Sequence, residues 1–219
     1  MSEYPLEIQR GWIAGFYRAS KYLVVATLLE SIMIFSFLWW LIVVYLRFFL
    51  SNGPNFVDVS KELSLLSLSP QTQLIMLGSV ISSLLWLYAV FGEMVPSLRE
   101  LEVQGVSLGS SPTMIVVGTI ATLTQVAIQV TILSIAYLIL TDIVILMITY
   151  LLALGTLVTY LLAHVGFFLV LDKLGHVLSN KRFVVAGVLV LVSAFIFFLG
   201  PVAWFISFMT ARNLLKTTA

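Results

Sequence analysis

From Thr113 to Leu171 the chain carries a single formally charged side chain, Asp142. Hydrocarbon about 30 Å thick is crossed by roughly twenty apolar residues in a helix. This run is too long for one crossing and too apolar to leave the bilayer for long. It predicts two long helices joined by a tight turn at Thr141-Asp142, where Asp142 sits at the headgroups and caps the second helix. The other apolar segments are expected to pack around that pair.

Composition supports the same class. Hydrophobic residues make up 61% of the 219 and charged residues 10%, against about a quarter charged in soluble domains. Mean hydropathy is +1.12. A net charge of +1 implies no nucleic-acid surface. There is no cysteine, which removes disulfides, thiolate metal sites and cysteine nucleophiles. The first apolar run, from Tyr22, is longer than a signal h-region, so the N-terminus is expected to be retained.

The expected fold is all-α: a polytopic integral membrane helical bundle forming one domain over residues 1–219, with five transmembrane helices and an N-terminal amphipathic interfacial helix. Residues 1–21 set Leu6, Ile8, Trp12, Ile13, Phe16 and Tyr17 against Glu7, Arg10, Arg18 and Lys21, a pattern suited to lying in the headgroups; the alternative is an outward extension of the first span. Spans are expected at about 22–50, 71–94, 113–140, 143–171 and 183–209. Trp39, Trp40, Tyr45 and Arg47 mark the far interface of the first. Asn52-Gly53-Pro54 opens the longest loop, in which Val59–Leu68 could form a short surface helix. Pro96 follows the second span. Gly175 is the expected residue beyond the end of the fourth. Gly200-Pro201 is expected to kink the fifth. Small residues at Gly78, Gly118, Gly155 and Ala163 are read as helix-packing positions.

With five spans, Arg10, Arg18, Lys21, Arg99, Lys173, Lys181 and Arg182 fall on one side, and Arg47, Lys61, Arg212 and Lys216 on the other. The excess places the protein in the cell membrane as a multi-pass chain with its N-terminus cytoplasmic. If Pro201 instead breaks the last span into a re-entrant hairpin, Arg212 and Lys216 join the cytoplasmic set.

Helix rise sets depth. Glu30 and His164 each lie eight residues from the cytoplasmic end of their spans, about 12 Å inside. Thr122 and Gln125, Ser82 and Ser83, and Ser193 fall near the same level, which predicts one polar layer contributed by all five helices. Glu30 and His164 are the strongly ionisable groups inside it, and a carboxyl there needs a partner or water. They are read either as a hydrogen-bonded staple between spans one and four, or as a proton-relay or substrate-binding pair. Glu93, Arg99, Glu100 and Glu102 form a charged cluster expected at the solvated rim. No HExxH, Walker A, GxGxxG or nucleophile-elbow sequence occurs. His164 and His176 are the only histidines, so no metal site and no cofactor is expected.

Val165–Lys216 has a Gly-Phe-Phe and an Asp-Lys-Leu-Gly ending one span, then a short basic loop, a Gly-Pro-containing span and a short basic tail. In this it resembles archaeal multi-spanning membrane proteins with no assigned activity. The resemblance implies the fold class and carries no catalytic motif.

The reading that follows is a non-enzymatic structural or accessory subunit of a membrane complex, partnered by the lipid bilayer and by other membrane subunits or copies of itself. The alternative is a small transporter or substrate-binding membrane component using the layer around Glu30 and His164.

Overall fold

A computed structural model describes residues 6–51, 70–139 and 143–217. The Thr141-Asp142 turn, Asn52-Gly53-Pro54 and Val59–Leu68 lie outside the described residues. The described chain is helical, without strands. Its elements are α1 (Leu6–Ser51), α2 (Pro70–Leu87), a π-helical segment (Tyr88–Met94), α3 (Val95–Val103), α4 (Ser111–Ile139), α5 (Ile143–Val177), α6 (Lys181–Ser193) and α7 (Leu199–Thr217). Among the described residues, Gly11–Ser36, Leu77–Val103 and Leu154–Val177 are long and apolar enough to cross a membrane, and Ser111–Thr124 is a shorter apolar helix.

The expected interfacial helix is corrected first. Residues 6–21 belong to the same unbroken helix as the first apolar run. Their apolar face meets protein: Trp12, Ile13 and Phe16 are buried in the core. The reason lies in Gly11, Gly15 and Ala19, which recur every fourth residue and let α3 approach closely. A Cβ on Gly15 would strike the Ser97 hydroxyl, and one on Gly11 would stand 2.9 Å from Glu100 Oε2.

The second helix also runs further than expected. Pro96 does not close it, because the backbone stays helical to Val103. Proline lacks an N–H and its ring clashes with the carbonyl four residues back. Here the turn ahead of Pro96 is widened into the π segment, where the Val95 N–H bonds the Val90 carbonyl.

α5 continues past Gly175 to Val177. Its end is a Schellman arrangement with Ser179 as the left-handed residue (φ 50°). Asn180 N–H donates to the Gly175 carbonyl at 2.8 Å and Ser179 N–H to His176 at 3.2 Å. Gly175 serves packing instead, facing the Val184 side chain. Asn180 then caps α6, its side-chain oxygen accepting from Arg182 N–H at 3.1 Å.

The expected fifth span, 183–209, is not one kinked helix. It breaks at Ala194–Phe198, and α7 doubles back along α6. Gly200 lies beside Ser193 at the turn, while Lys181 and Arg182 share a groove with Met209 and Thr210 at the opposite end. Pro201 is the third residue of α7, where its missing N–H would be unpaired in any helix. It therefore starts a helix and does not bend one.

The pairings are antiparallel throughout. α1 runs against α2–α3, with Met33 by Gly78 and Gly15 by Ser97. α4 runs against α5, with Gly118 on Ala163 and Gly166 on Ile115. α7 runs against α1, with Tyr17 stacked on Phe208 at 4.9 Å. The start of α1 and the end of α7 thus share one end of the bundle with Arg18, Lys181 and Arg182. The core sits at that end, built from Phe16, Leu23, Met94, Ile115, Phe167, Leu174, Phe183 and Trp204.

Candidate functional site: a cavity between two helical hairpins

Among the described residues, the α1–α2 pair and the α4–α5 pair hardly touch along their apolar middles. They are joined near the basic end, through the π segment, α3 and an aromatic bridge. In that bridge Phe167 lies 5.6 Å from Trp86 and 5.2 Å from Trp204, edge-on to the latter. Beyond it the pairs frame a half-open cavity of about 490 Å³.

All four helices supply its wall. α1 contributes Glu30, Met33 and Ile34; α2 contributes Ser79, Ser82, Ser83 and Trp86. α4 contributes Thr119, Thr122 and Leu123; α5 contributes Thr156, Tyr160, Ala163 and His164. Five residues expected in one polar layer, Glu30, Ser82, Ser83, Thr122 and His164, therefore line one space. The Gln125 side chain lies outside those described. Ser193 is elsewhere: it is buried at the end of α6, donating to the Val190 carbonyl at 2.6 Å. α6 and α7 turn back beside Thr27 and Ser31 of α1 and supply no lining residue, so the described wall has four helical contributors.

Helix periodicity explains the members that sequence reasoning missed. Thr156, Tyr160 and His164 are four apart on α5, so one face carries all three. Ser79, Ser83 and Trp86 share a face of α2 in the same way. Extending the polar stripe one turn from His164 or Ser83 would have reached them.

Several hydroxyls in the wall are tied to neighbouring helices or to their own, Thr156 donating to the Leu152 carbonyl at 2.8 Å. Ser82 donates across to the Ala26 carbonyl at 3.0 Å, fixing α2 on α1. Thr122 donates to the Thr159 hydroxyl at 3.1 Å, which itself lies 3.2 Å from the Gly155 carbonyl. Thr119 differs. Its hydroxyl is buried with no hydrogen-bond partner among the described residues, and such groups are costly to leave unpaired.

His164 is buried, with Nδ1 2.9 Å from the Tyr160 carbonyl. A carbonyl only accepts, so Nδ1 carries the hydrogen, and the neutral ring keeps its lone pair on Nε2. The Trp86 side chain is within hydrogen-bonding reach of the Glu30 carboxyl, and an indole N–H can only donate. No hydrogen bond joins Glu30 to His164 among the described residues, so the expected staple is not a direct bond.

The charged cluster expected at the rim is more ordered than a solvated patch. Glu93 is buried and lies 2.8 Å from Arg18 Nε. Tyr88, five residues earlier, donates to its other oxygen at 3.1 Å, a pairing the π turn allows by placing i and i+5 on one face. His176 is exposed on the rim, with Nδ1 2.8 Å from the Asp172 carbonyl. Among the described residues, no three His, Asp or Glu side chains gather as a metal site.

Comparison with protein-family models, with curated proteins and with solved structures finds no match to this chain.

Proposed function

We propose that this protein is a ligand-binding or transport component embedded in the membrane, and that its site is the Glu30–His164 cavity. One observation carries the reading: polar side chains from the middles of four apolar helices converge on one space of ligand size. Polar groups inside a bilayer are expensive and mark pathways or sites when they face a cavity.

The membrane arrangement proposed with it has four spans, formed by α1, α2 through α3, α4 and α5, with α6–α7 as a re-entrant hairpin. α6 has 13 residues and rises about 20 Å, short of the roughly 30 Å hydrocarbon. The hairpin tip satisfies its own backbone, as non-helical chain at that depth must. Ala194, Phe195 and Ile196 N–H groups donate to Leu191 and Val192 carbonyls, and Ser31 donates to the Phe197 carbonyl at 3.3 Å. The basic end then faces the cytoplasm with both termini.

Because the chain has no cysteine, single-cysteine labelling tests both parts cleanly. Cysteines replacing Ser2 and Thr218 are expected to react with an impermeant thiol reagent from the same, cytoplasmic side. Reaction from opposite sides restores five spans. Within the bundle, Ser83→Cys is expected to react with a small charged thiol reagent, whereas Leu84→Cys, 60% exposed toward lipid, is not. If both stay silent the cavity is dry, and the protein is better read as an accessory subunit of a membrane complex.

A further inference from the structure

The cavity wall holds a carboxyl, and no lysine or arginine is among its lining residues. Among the described residues no cation pairs with Glu30. Arg18, on the same helix, is about 18 Å away by helix rise and is engaged by Glu93. The rest of the wall is poor in positive character. The His164 Nε2 offers a lone pair, the Thr119 hydroxyl is unpartnered, and Ser83 and Thr122 add hydroxyl oxygens. Trp86 and Tyr160 add aromatic rings, whose faces attract cations. Met33, Ile34 and Leu123 make the remainder apolar.

An acidic group, lone pairs and π faces in an apolar wall best complement one kind of guest. An anion would meet Glu30 with no counter-charge. A neutral guest leaves Glu30 to take up a proton, as an unpaired buried acid does, whereas a cation can pair with its carboxylate. We infer that the cavity takes a lipophilic organic cation, an amine or quaternary ammonium whose charge sits against Glu30 beside the Trp86 and Tyr160 rings. This rests on the ligand-binding reading above. The volume of about 490 Å³ lies within the range that holds drug-sized ligands.

The test uses two molecules of one shape. Phenyltrimethylammonium and tert-butylbenzene differ in a single charge, and equilibrium dialysis against protein-free nanodiscs measures each on the full chain. The cation is expected to bind the wild-type protein, and to bind Glu30→Gln at least tenfold more weakly. Tert-butylbenzene should bind both proteins alike, which also shows that the variant keeps its cavity. Equal binding of both molecules, or cation binding indifferent to Glu30→Gln, overturns the cation assignment and leaves a ligand cavity standing. If neither molecule binds above empty discs, the ligand-binding reading falls as well.

Discussion

Replacing Phe167 with alanine is expected to destabilise the fold by about 3–5 kcal/mol. Phe167 is 1% exposed. Its ring touches Trp86 from α2 and Trp204 from α7, and lies 6.5 Å from His164 on its own helix. Phe167 thus joins these three elements at the place where the two helical hairpins meet. Aromatic pairs of this geometry add about 0.5–1.5 kcal/mol each beyond the area they bury. Both Trp contacts are lost in the variant, and its neighbours are anchored on separate helices, so the void closes poorly. The cavity floor opens at the same time. Trp86 reaches Glu30 on one side and Phe167 on the other, so ligand binding should weaken together with stability. Unfolding in mixed micelles measures the first effect. Phe205→Ala is the control, since Phe205 is 52% exposed and its loss should cost under about 0.5 kcal/mol. A Phe167→Ala cost as small as the control's would mean that the bridge does not hold the hairpins together.

That bridge was not legible in the sequence, and the reason is physical. Hydropathy is local, so the apolar runs and the shared level of Glu30, Ser82, Ser83, Thr122 and His164, which line one cavity, could be read from the sequence and helix rise. An aromatic in an apolar run reads the same whether it faces lipid or a neighbouring helix, which hid Trp86, Tyr160 and Phe167. The same degeneracy misplaced residues 6–21. Trp12, Ile13 and Phe16 would suit the headgroup region or a protein core equally; the four-residue repeat of Gly11, Gly15 and Ala19 was the discriminating sign. Gly200-Pro201 was ambiguous for another reason. Proline distorts a helix it interrupts and fits a helix it begins, and the choice depends on whether Phe195 to Phe198 can close a turn. Their own hydrogen bonds and Ser31 settle that, and Ser31 is far away in sequence. Ser193 lies near the level of Thr27, with Gly200 between them, but the break after α6 leaves it outside the cavity lining.

Gly118→Val is the second large effect, and it tests how the cavity keeps its width. A Cβ at Gly118 would stand 2.9 Å from both the Cα and the Cβ of Ala163. Valine would place two further methyls at the same contact, so α4 and α5 must move apart. Overpacking of this kind costs about 1–3 kcal/mol, and inside a bilayer close packing is the main force holding helices together. The separation should also lengthen the Thr122–Thr159 hydrogen bond, now 3.1 Å, one turn further along the same contact. A paired change sharpens the result. Gly118→Ala combined with Ala163→Gly removes one of the clashing atoms but leaves the backbone of Ala163 in place. The double variant should therefore recover only part of the stability lost in Gly118→Ala, as a double-mutant cycle would measure. Full recovery would mean that side chains alone limit the approach of α4 to α5. No loss in Gly118→Val would mean that the two helices do not meet at Gly118, and the wall formed by Thr119, Thr122, Tyr160 and His164 would lose the contact that sets its spacing.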